Sequence, residues 1–288
     1  MLRITNLTKT YPNGTKALND INVTIGSGVF GLLGPNGSGK SSLMRTIATL
    51  QEPDYGTIQF GEMDVLNSKE QMRTVLGYLP QEFGVYPTIS AENLLHHLAV
   101  LKGIVDGSQR KSEVDRLLEM TNLSQYRKKK LGSYSGGMKQ RFGIAQALLG
   151  NPKIIIVDEP TAGLDPIERD RFHQLLNLVG EEITVILSTH IVSDVSELCN
   201  EMAILHQGRV LMQMSPKAAI ETLQGKIWAA PFSQSEAEFF AKTRHVISSK
   251  LLHGKCLMKI YSDTNPGSPF TSIEPSLEDV YFYQINGI

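Results

Sequence analysis

Residues 34–41 read Gly-Pro-Asn-Gly-Ser-Gly-Lys-Ser and lie between an apolar run, 29–33, and a helix-like stretch, 42–50. Strand, glycine-rich loop and helix in that order is the setting in which such a loop holds phosphate, and it points to an α/β architecture. Gly34, Gly37 and Gly39 are expected to adopt backbone angles that a side chain forbids, turning successive N–H groups inward. Those donors, with the positive end of the following helix, suit phosphate oxygens. Lys40 supplies a point charge between the β- and γ-phosphates, and Ser41 a hydroxyl for Mg²⁺. The candidate nucleoside triphosphate site is therefore Gly34, Pro35, Asn36, Gly37, Ser38, Gly39, Lys40 and Ser41, with Ser42 beside it. By itself the loop leaves open what the triphosphate is used for, since kinases, GTPases and motor ATPases all carry one.

Composition narrows the class. A chain of 288 residues suggests one large domain, or one domain with a small appendage. Its net charge of −1 provides no global basic field to attract nucleic acid. The short run Arg127-Lys128-Lys129-Lys130 reads as a solvated patch. Cys199 and Cys256 lie far apart with no metal spacing, which fits a reducing compartment without a disulfide framework. The N-terminal residues have no long apolar core, so no secretory signal is expected. No stretch reaches the roughly 18 apolar residues that span a bilayer. A soluble cytosolic chain is expected, and any membrane role must come through a partner.

Along the chain, residues 2–5 and 21–25 alternate apolar and polar as half-buried strands do, with a turn at 12–14. Further strands are expected at 56–60 and 73–80, and a helical insert at 90–121. His96 and His97 read as surface residues of that insert. The continuous apolar run 154–157 has the look of a parallel strand buried on both faces, and 184–188 is a second. Gln207-Gly208 signals a hairpin. At Ser215-Pro216 a short helix can start, capped by Ser215 and closed by Gly225. Residues 225–288 read as a small α+β appendage with a second hairpin around His253-Gly254.

Two further motifs carry chemistry. The run 154–157 ends in Asp158-Glu159-Pro160, at the carboxyl end of a buried strand where ligands sit. Asp158 suits a Mg²⁺ role and Glu159 the role of a general base toward water. Ser135-Gly136-Gly137 precedes the helix-like run 138–149, which makes a second anion site by the same physics as the first.

With these motifs in place the chain resembles the nucleotide-binding subunit of an ABC transporter. Residues 34–41 match its Walker A motif, 154–158 its Walker B followed by Glu159, and 134–138 its signature. Gln81 matches the Q-loop, residues 163–166 the D-loop, His190 the switch histidine, and Tyr11 the aromatic that stacks on adenine. The motifs come in the family's order across about residues 1–215. The common signature Leu-Ser-Gly-Gly-Gln is altered here at Tyr134 and Met138, while Ser135 to Gly137 are intact.

The resemblance implies a P-loop NTPase fold: a mixed core sheet, an antiparallel β subdomain and a helical subdomain at about 85–150. It also implies a division into an ATPase domain, 1–215, and an accessory domain, 216–288. It implies ATP as substrate with Mg²⁺ as cofactor. Two subunits would pack head to tail, as a homodimer or heterodimer, with each ATP held between one P-loop and the other subunit's Ser135, Gly136 and Gly137. Gln81 would contact Mg²⁺ and the attacking water, and His190 the γ-phosphate. Coupling would run from Gln81 through Glu82 to Val85 and the helical insert, and on to a cytoplasmic helix of a transmembrane permease. The subunit would then sit on the inner face of the cell membrane. The ending 275–281, Pro-Ser-Leu-Glu-Asp-Val-Tyr, resembles the tail of the ABC-2 exporter subfamily, with Ser276 as helix cap and Leu277, Val280 and Tyr281 packing inward. A soluble ABC ATPase acting without a permease is the alternative. A P-loop kinase or GTPase has no use for Ser135 to Gly137.

Overall fold

The computed structural model describes the chain except Glu82, Val85, residues 242–244 and His253, and except the side chains of residues 235, 238, 239 and 241. The expected hairpin tip at His253 and the coupling positions Glu82 and Val85 lie outside the described residues.

The N-terminal layer is an antiparallel sheet of β1 (Leu2–Thr10), β2 (Lys16–Ile25), β4 (Tyr55–Phe60) and β5 (Met63–Asp64), in the order β2-β1-β4-β5. The central sheet contains β3 (Gly28–Leu33), β6 (Leu76–Leu79), β7 (Ile154–Asp158), β8 (Thr184–Thr189), β9 (Glu201–His206) and β10 (Arg209–Met214). Its order is β10-β9-β3-β8-β7-β6, parallel throughout except for β10, which pairs antiparallel with β9. Between β3 and β4 runs α1 (Lys40–Ile47), and α2 (Lys69–Val75) precedes β6.

Every residue of β7 and β8 is buried, and alternation then sorts them to two cores. Ile154 and Ile156 join a core with Phe30, Leu32, Met44 and the N-terminal sheet. Ile155 and Val157 face the opposite core with Leu79, Phe142 and Leu187. That second core is covered by α3 (Ala91–Leu101), α4 (Gly107–Met120), α5 (Gly136–Ala147), α6 (Pro166–Glu182) and α7 (Val192–Leu198).

Two expectations are corrected, and the helical insert is resolved into its parts. The strand expected over 73–80 is only Leu76–Leu79, because Arg73 to Val75 finish α2. Arg73 there donates to the hydroxyl and carbonyl of Thr49 at 2.9 and 3.1 Å, and Met72 is buried. The helical insert is two helices, α3 and α4. Gly103 takes a left-handed φ of 87° between them, and Asp106 caps α4 by accepting from Gln109 N at 2.7 Å. The basic run is not wholly solvated, because Arg127 pairs with Glu92 and Asp115 and so ties α3 to α4. His96 and His97 sit on α3, half-buried and exposed.

Beyond β10, Ser215 caps α8 (Pro216–Glu221) by accepting from Ala218 N at 3.2 Å. The helix stops at Glu221, short of Gly225. A third sheet follows, made of β11 (Ile227–Phe232), β12 (Val246–Leu252), β13 (Lys255–Tyr261) and β14 (Thr271–Ser272), in the order β12-β13-β11-β14. The helix α9 (Gln234–Ala241) covers a small core of Phe232, Met258 and Phe270. The last helix, α10 (Leu277–Asn286), buries Leu277, Val280 and Tyr281 in the large core beside Val195 and Leu198. Each such side chain contributes about 1.5–3 kcal/mol on burial, so α10 is a substantial attachment to the central layer.

Candidate functional site

The loop 34–41 leaves β3 and enters α1 as expected, but its glycines serve different needs. Gly37 and Gly39 have left-handed φ values of 79° and 110°. Gly34 does not. A Cβ there would lie 2.3 Å from the Leu205 carbonyl oxygen, so its requirement is close packing rather than an unusual angle. The tip of the β9–β10 hairpin braces the loop from outside: Gly208 N donates to the Ser38 carbonyl at 2.9 Å. Lys40 is 4% exposed, and its Nζ donates to the carbonyls of Gly34 at 2.8 Å and Pro35 at 3.2 Å.

At the carboxyl end of β7 the chain turns sharply. Glu159 adopts φ 47°, a strained angle for a non-glycine residue, which costs about 1–3 kcal/mol. Its N–H donates to the Ser188 carbonyl at 2.9 Å, which holds the turn against β8. The side chain is 7% exposed and lies between two partners. Oε1 is 3.3 Å from Lys40 Nζ, and Oε2 is 2.8 Å from His190 Nδ1. A carboxylate so placed can accept a proton from water at the mouth of the loop.

Asp158 is 3% exposed and its Oδ1 has no hydrogen-bond partner, as is true of the buried Ser38 Oγ. An unpartnered buried carboxylate oxygen is costly unless a ligand meets it. Asp158 with the Ser41 hydroxyl and the Gln81 amide is a hard oxygen donor set, which suits Mg²⁺ bound by one carboxylate and substrate phosphates.

An open cleft of about 660 Å³ runs over the loop. Tyr11, Asn36, Gly37, Gly39, Lys40, Ser41, Ser42, Gln81 and Glu159 line it. Thr15, Lys16, Ala17 and Gln207, which the motifs did not flag, line it too. Tyr11 is held by its hydroxyl, 3.0 Å from Ser42 Oγ and 3.0 Å from Gln51 Oε1, with Gln51 Nε2 donating to the Ser42 carbonyl at 2.8 Å. The aromatic ring is thus tied to the same helix that follows the loop.

Ser135, Gly136 and Gly137 do not line this cleft. Ser135 caps α5 by accepting from Met138 N at 3.2 Å, and Ser135 and Gly136 are exposed. A Cβ on Gly137 would lie 2.2 Å from the Glu168 carboxylate, so any larger residue here would displace that side chain of α6. Tyr134 points into the core and donates its hydroxyl to the Tyr126 carbonyl at 3.0 Å, and burial pushes that hydroxyl up to about 12. The departure from leucine is therefore absorbed by the core and leaves the exposed serine and glycine unchanged.

A loop, a carboxylate pair and an exposed serine–glycine helix start are the parts of one cassette, and the sequence profile of the family described as ABC transporter matches residues 18–162. The chain belongs to the ABC transporter family. It is 37% identical to the "Probable multidrug ABC transporter ATP-binding protein YbhF" of Escherichia coli, over 78% of this chain and 39% of that protein, so it spans about two fifths of the length of that relative. It is 36% identical to the "Bacitracin transport ATP-binding protein BcrA" of Bacillus licheniformis, over 74% of this chain and 69% of that one. The solved dimeric ATP-binding cassette MJ0796, in a post-hydrolysis state with ADP and Pi, superposes with a TM-score of 0.68 at 28% identity, over 75% of this chain and 98% of that one. The fold is that of the ABC ATPase cassettes.

Sequence reasoning missed residues that lack a motif of their own. Gln51 and Gln207 carry no local signal, because their importance lies in contacts across 40 positions in one case and a hairpin tip in the other. Arg169 and Asp194 carry no motif either, yet Asp194 is wholly buried.

Proposed function

We propose that this chain is the ATP-hydrolysing subunit of a membrane exporter. The observation that carries the reading is the convergence of Lys40, Glu159 and His190 beside the phosphate loop. Glu159 accepts the proton of the attacking water. His190 orients Glu159 and reaches the γ-phosphate, and Lys40 neutralises charge between the phosphates. Gln81 binds at the cation side and senses whether the γ-phosphate is present. Ser41, Gln81 and Asp158 would hold Mg²⁺, which would supply positive charge to offset that of the phosphates. Tyr11 supports the base. Ser135, Gly136 and Gly137 serve the ATP of a second subunit, which fits the exposure of Ser135 and Gly136 and the absence of all three from the lining of this chain's own cleft. Residues 1–215 form the ATPase domain and 216–288 an accessory domain.

The partner is a permease that provides the membrane spans. No helix among the described residues is long and apolar enough to cross a membrane. Between the end of α1, β6, α3 and α5 lies a groove of about 330 Å³, lined by Leu50, Tyr78, Leu98, Leu101 and Ala147. Leu50 and Leu101 are 60% and 71% exposed, an unusual apolar pairing for a free surface. Lys102 edges the groove, its Nζ donating to the Leu76 carbonyl at 3.0 Å, and burial holds its ammonium below the usual range. This groove takes a short cytoplasmic helix of the permease, next to β6, which ends two residues before Gln81, and the subunit would then sit on the inner face of the membrane. The names of the relatives and the tail at 275–281 favour export. A soluble cassette acting alone leaves the groove without an occupant. The test is co-purification: the parent chain carries a multi-spanning membrane protein with it, and Leu50→Asp with Leu101→Asp releases that protein while ATP binding persists. Retention of the membrane protein by the double variant would overturn the docking surface.

A further inference from the structure

Asp194 stands in the first turn of α7 and is 0% exposed, yet it gathers donors from three separate segments. Its Oδ2 accepts from Thr161 Oγ1 at 2.6 Å and from Thr189 Oγ1 at 3.1 Å. Its Oδ1 accepts from Arg169 Nε at 2.8 Å and lies 2.9 Å from His173 Nε2. Around this centre Arg169 Nη2 donates to Ser193 Oγ at 2.6 Å, and His173 Nδ1 lies 3.1 Å from Glu197 Oε2. Burial would raise the Asp194 carboxyl, but the bonds from His173 and Thr161 and the charge of Arg169 outweigh it and hold the group below its ordinary value.

The positions of the donors give the network its meaning. Thr161 is two residues past Glu159, in the loop that leads to α6. Thr189 immediately precedes His190, and its hydroxyl also accepts from Ile191 N at 3.0 Å, bracing the backbone on both sides of that histidine. One carboxylate oxygen therefore holds the two loops whose tips carry the 2.8 Å contact between Glu159 and His190. The far end of the first loop is tied to the same centre. Asp165 caps α6 by accepting from Glu168 N at 2.9 Å, and α6 carries Arg169 and His173 back to Asp194.

We infer that Asp194 is a positioning residue of the hydrolytic site: through Thr161 and Thr189 it clamps the loop after Glu159 to the loop bearing His190. The inference rests on the roles proposed above for Glu159 and His190. A buried charge is costly, and among the described residues its donors belong to these loops and to α6, which is an arrangement suited to fixing their mutual distance. Misplacement of catalytic groups by 1 Å can cost about a hundredfold in rate, so a clamp of this kind acts on turnover before it acts on binding.

Thr161→Val and Thr189→Val test this, because each removes one hydroxyl while leaving Asp194 its Arg169 and His173 partners. Both threonines are buried, so valine keeps the shape. ATP hydrolysis by the full chain is measured with the melting temperature. A clamp needs both tethers, so each variant lowers kcat about tenfold with KM for ATP within about threefold. The double variant falls no more than about twofold below the worse single one, because two losses within one unit do not add. Thr161→Ser and Thr189→Ser, which restore the hydroxyl, recover most of the rate. The inference is overturned by kcat within about twofold of the parent for both valine variants, by losses that multiply in the double variant, or by a fall in melting temperature with kcat unchanged. Glu159→Gln is assayed alongside. Its undiminished hydrolysis would remove the base itself, a failure distinct from indifferent threonine variants.

Discussion

Oε2 of Glu159 lies 2.8 Å from Nδ1 of His190, while its other oxygen faces the Lys40 ammonium at 3.3 Å. The proposed base is thus held between the Lys40 cation and a histidine from the neighbouring strand end. His190→Ala removes the orienting partner but leaves the phosphate cradle intact. Steady-state assay should show kcat lower by about a hundredfold and a much smaller change in KM for ATP. An equal loss in nucleotide affinity would mean that His190 contributes to binding rather than to turnover.

Tyr11 offers two separable contributions, its ring and its hydroxyl. The hydroxyl ties it to Ser42 on the helix after the loop and to Gln51 just beyond that helix. Tyr11→Phe keeps the ring and loses the tie, so ATP affinity should fall by about fivefold, while Tyr11→Ala loses stacking as well and should fall by at least ten times that. Fluorescent-nucleotide titration separates the two. Identical losses would show that the ring itself does not meet the base.

Gly34 is required by space. Gly34→Ala would put a methyl group 2.3 Å from the Leu205 carbonyl, which forces the loop away from β9 and should cost about 1–3 kcal/mol in chemical denaturation. Nucleotide binding should weaken in parallel. A variant with parent-like stability would contradict the packing account.

The contrast between Gly34 and Gly37 shows what could be read before the fold was known. Motif spacing marked the loop, the carboxylate pair and Ser135 to Gly137, because each depends on residue types at short separations. It marked β7 and β8 as well, since burial on both faces leaves continuous apolar runs. It did not separate the two reasons for a glycine, an unusual φ at Gly37 and a carbonyl of β9 at Gly34. Nor did it place Arg73 in a helix, because Arg73 is held by Thr49 from a distant turn. Asp194 was invisible for the same reason: four donors converge on it from other segments, and an isolated aspartate on a short helix looks like surface.

Acid should expose the Asp194 network directly. Its folded carboxyl lies below the ordinary value of 3.8, so the stability it contributes is fully present above that value and is lost as pH falls through the folded one. Asp194→Asn should lower the melting temperature by a constant amount from about pH 6 to 8, and the gap from the parent should shrink below about pH 4. A gap that widens in acid would mean that the folded carboxyl lies above 3.8.

The capping box at α10 can be tested apart from catalysis. Ser276 Oγ donates to Asp279 Oδ2 at 2.7 Å, and Asp279 N donates back to Ser276 Oγ at 3.3 Å. Ser276→Ala should cost about 1 kcal/mol in denaturant unfolding and leave the ATPase rate of the chain unchanged. A lowered ATPase rate at unchanged stability would instead link the C-terminal helix to turnover.

The central claim, that Glu159 is the base of an ATP-hydrolysing cassette, is met most directly by a single-turnover measurement on radiolabelled ATP bound to the full chain with Mg²⁺. The parent should release phosphate, whereas Glu159→Gln should retain intact ATP and react at least about a hundredfold more slowly. Phosphate release by Glu159→Gln at the parent rate would contradict the account.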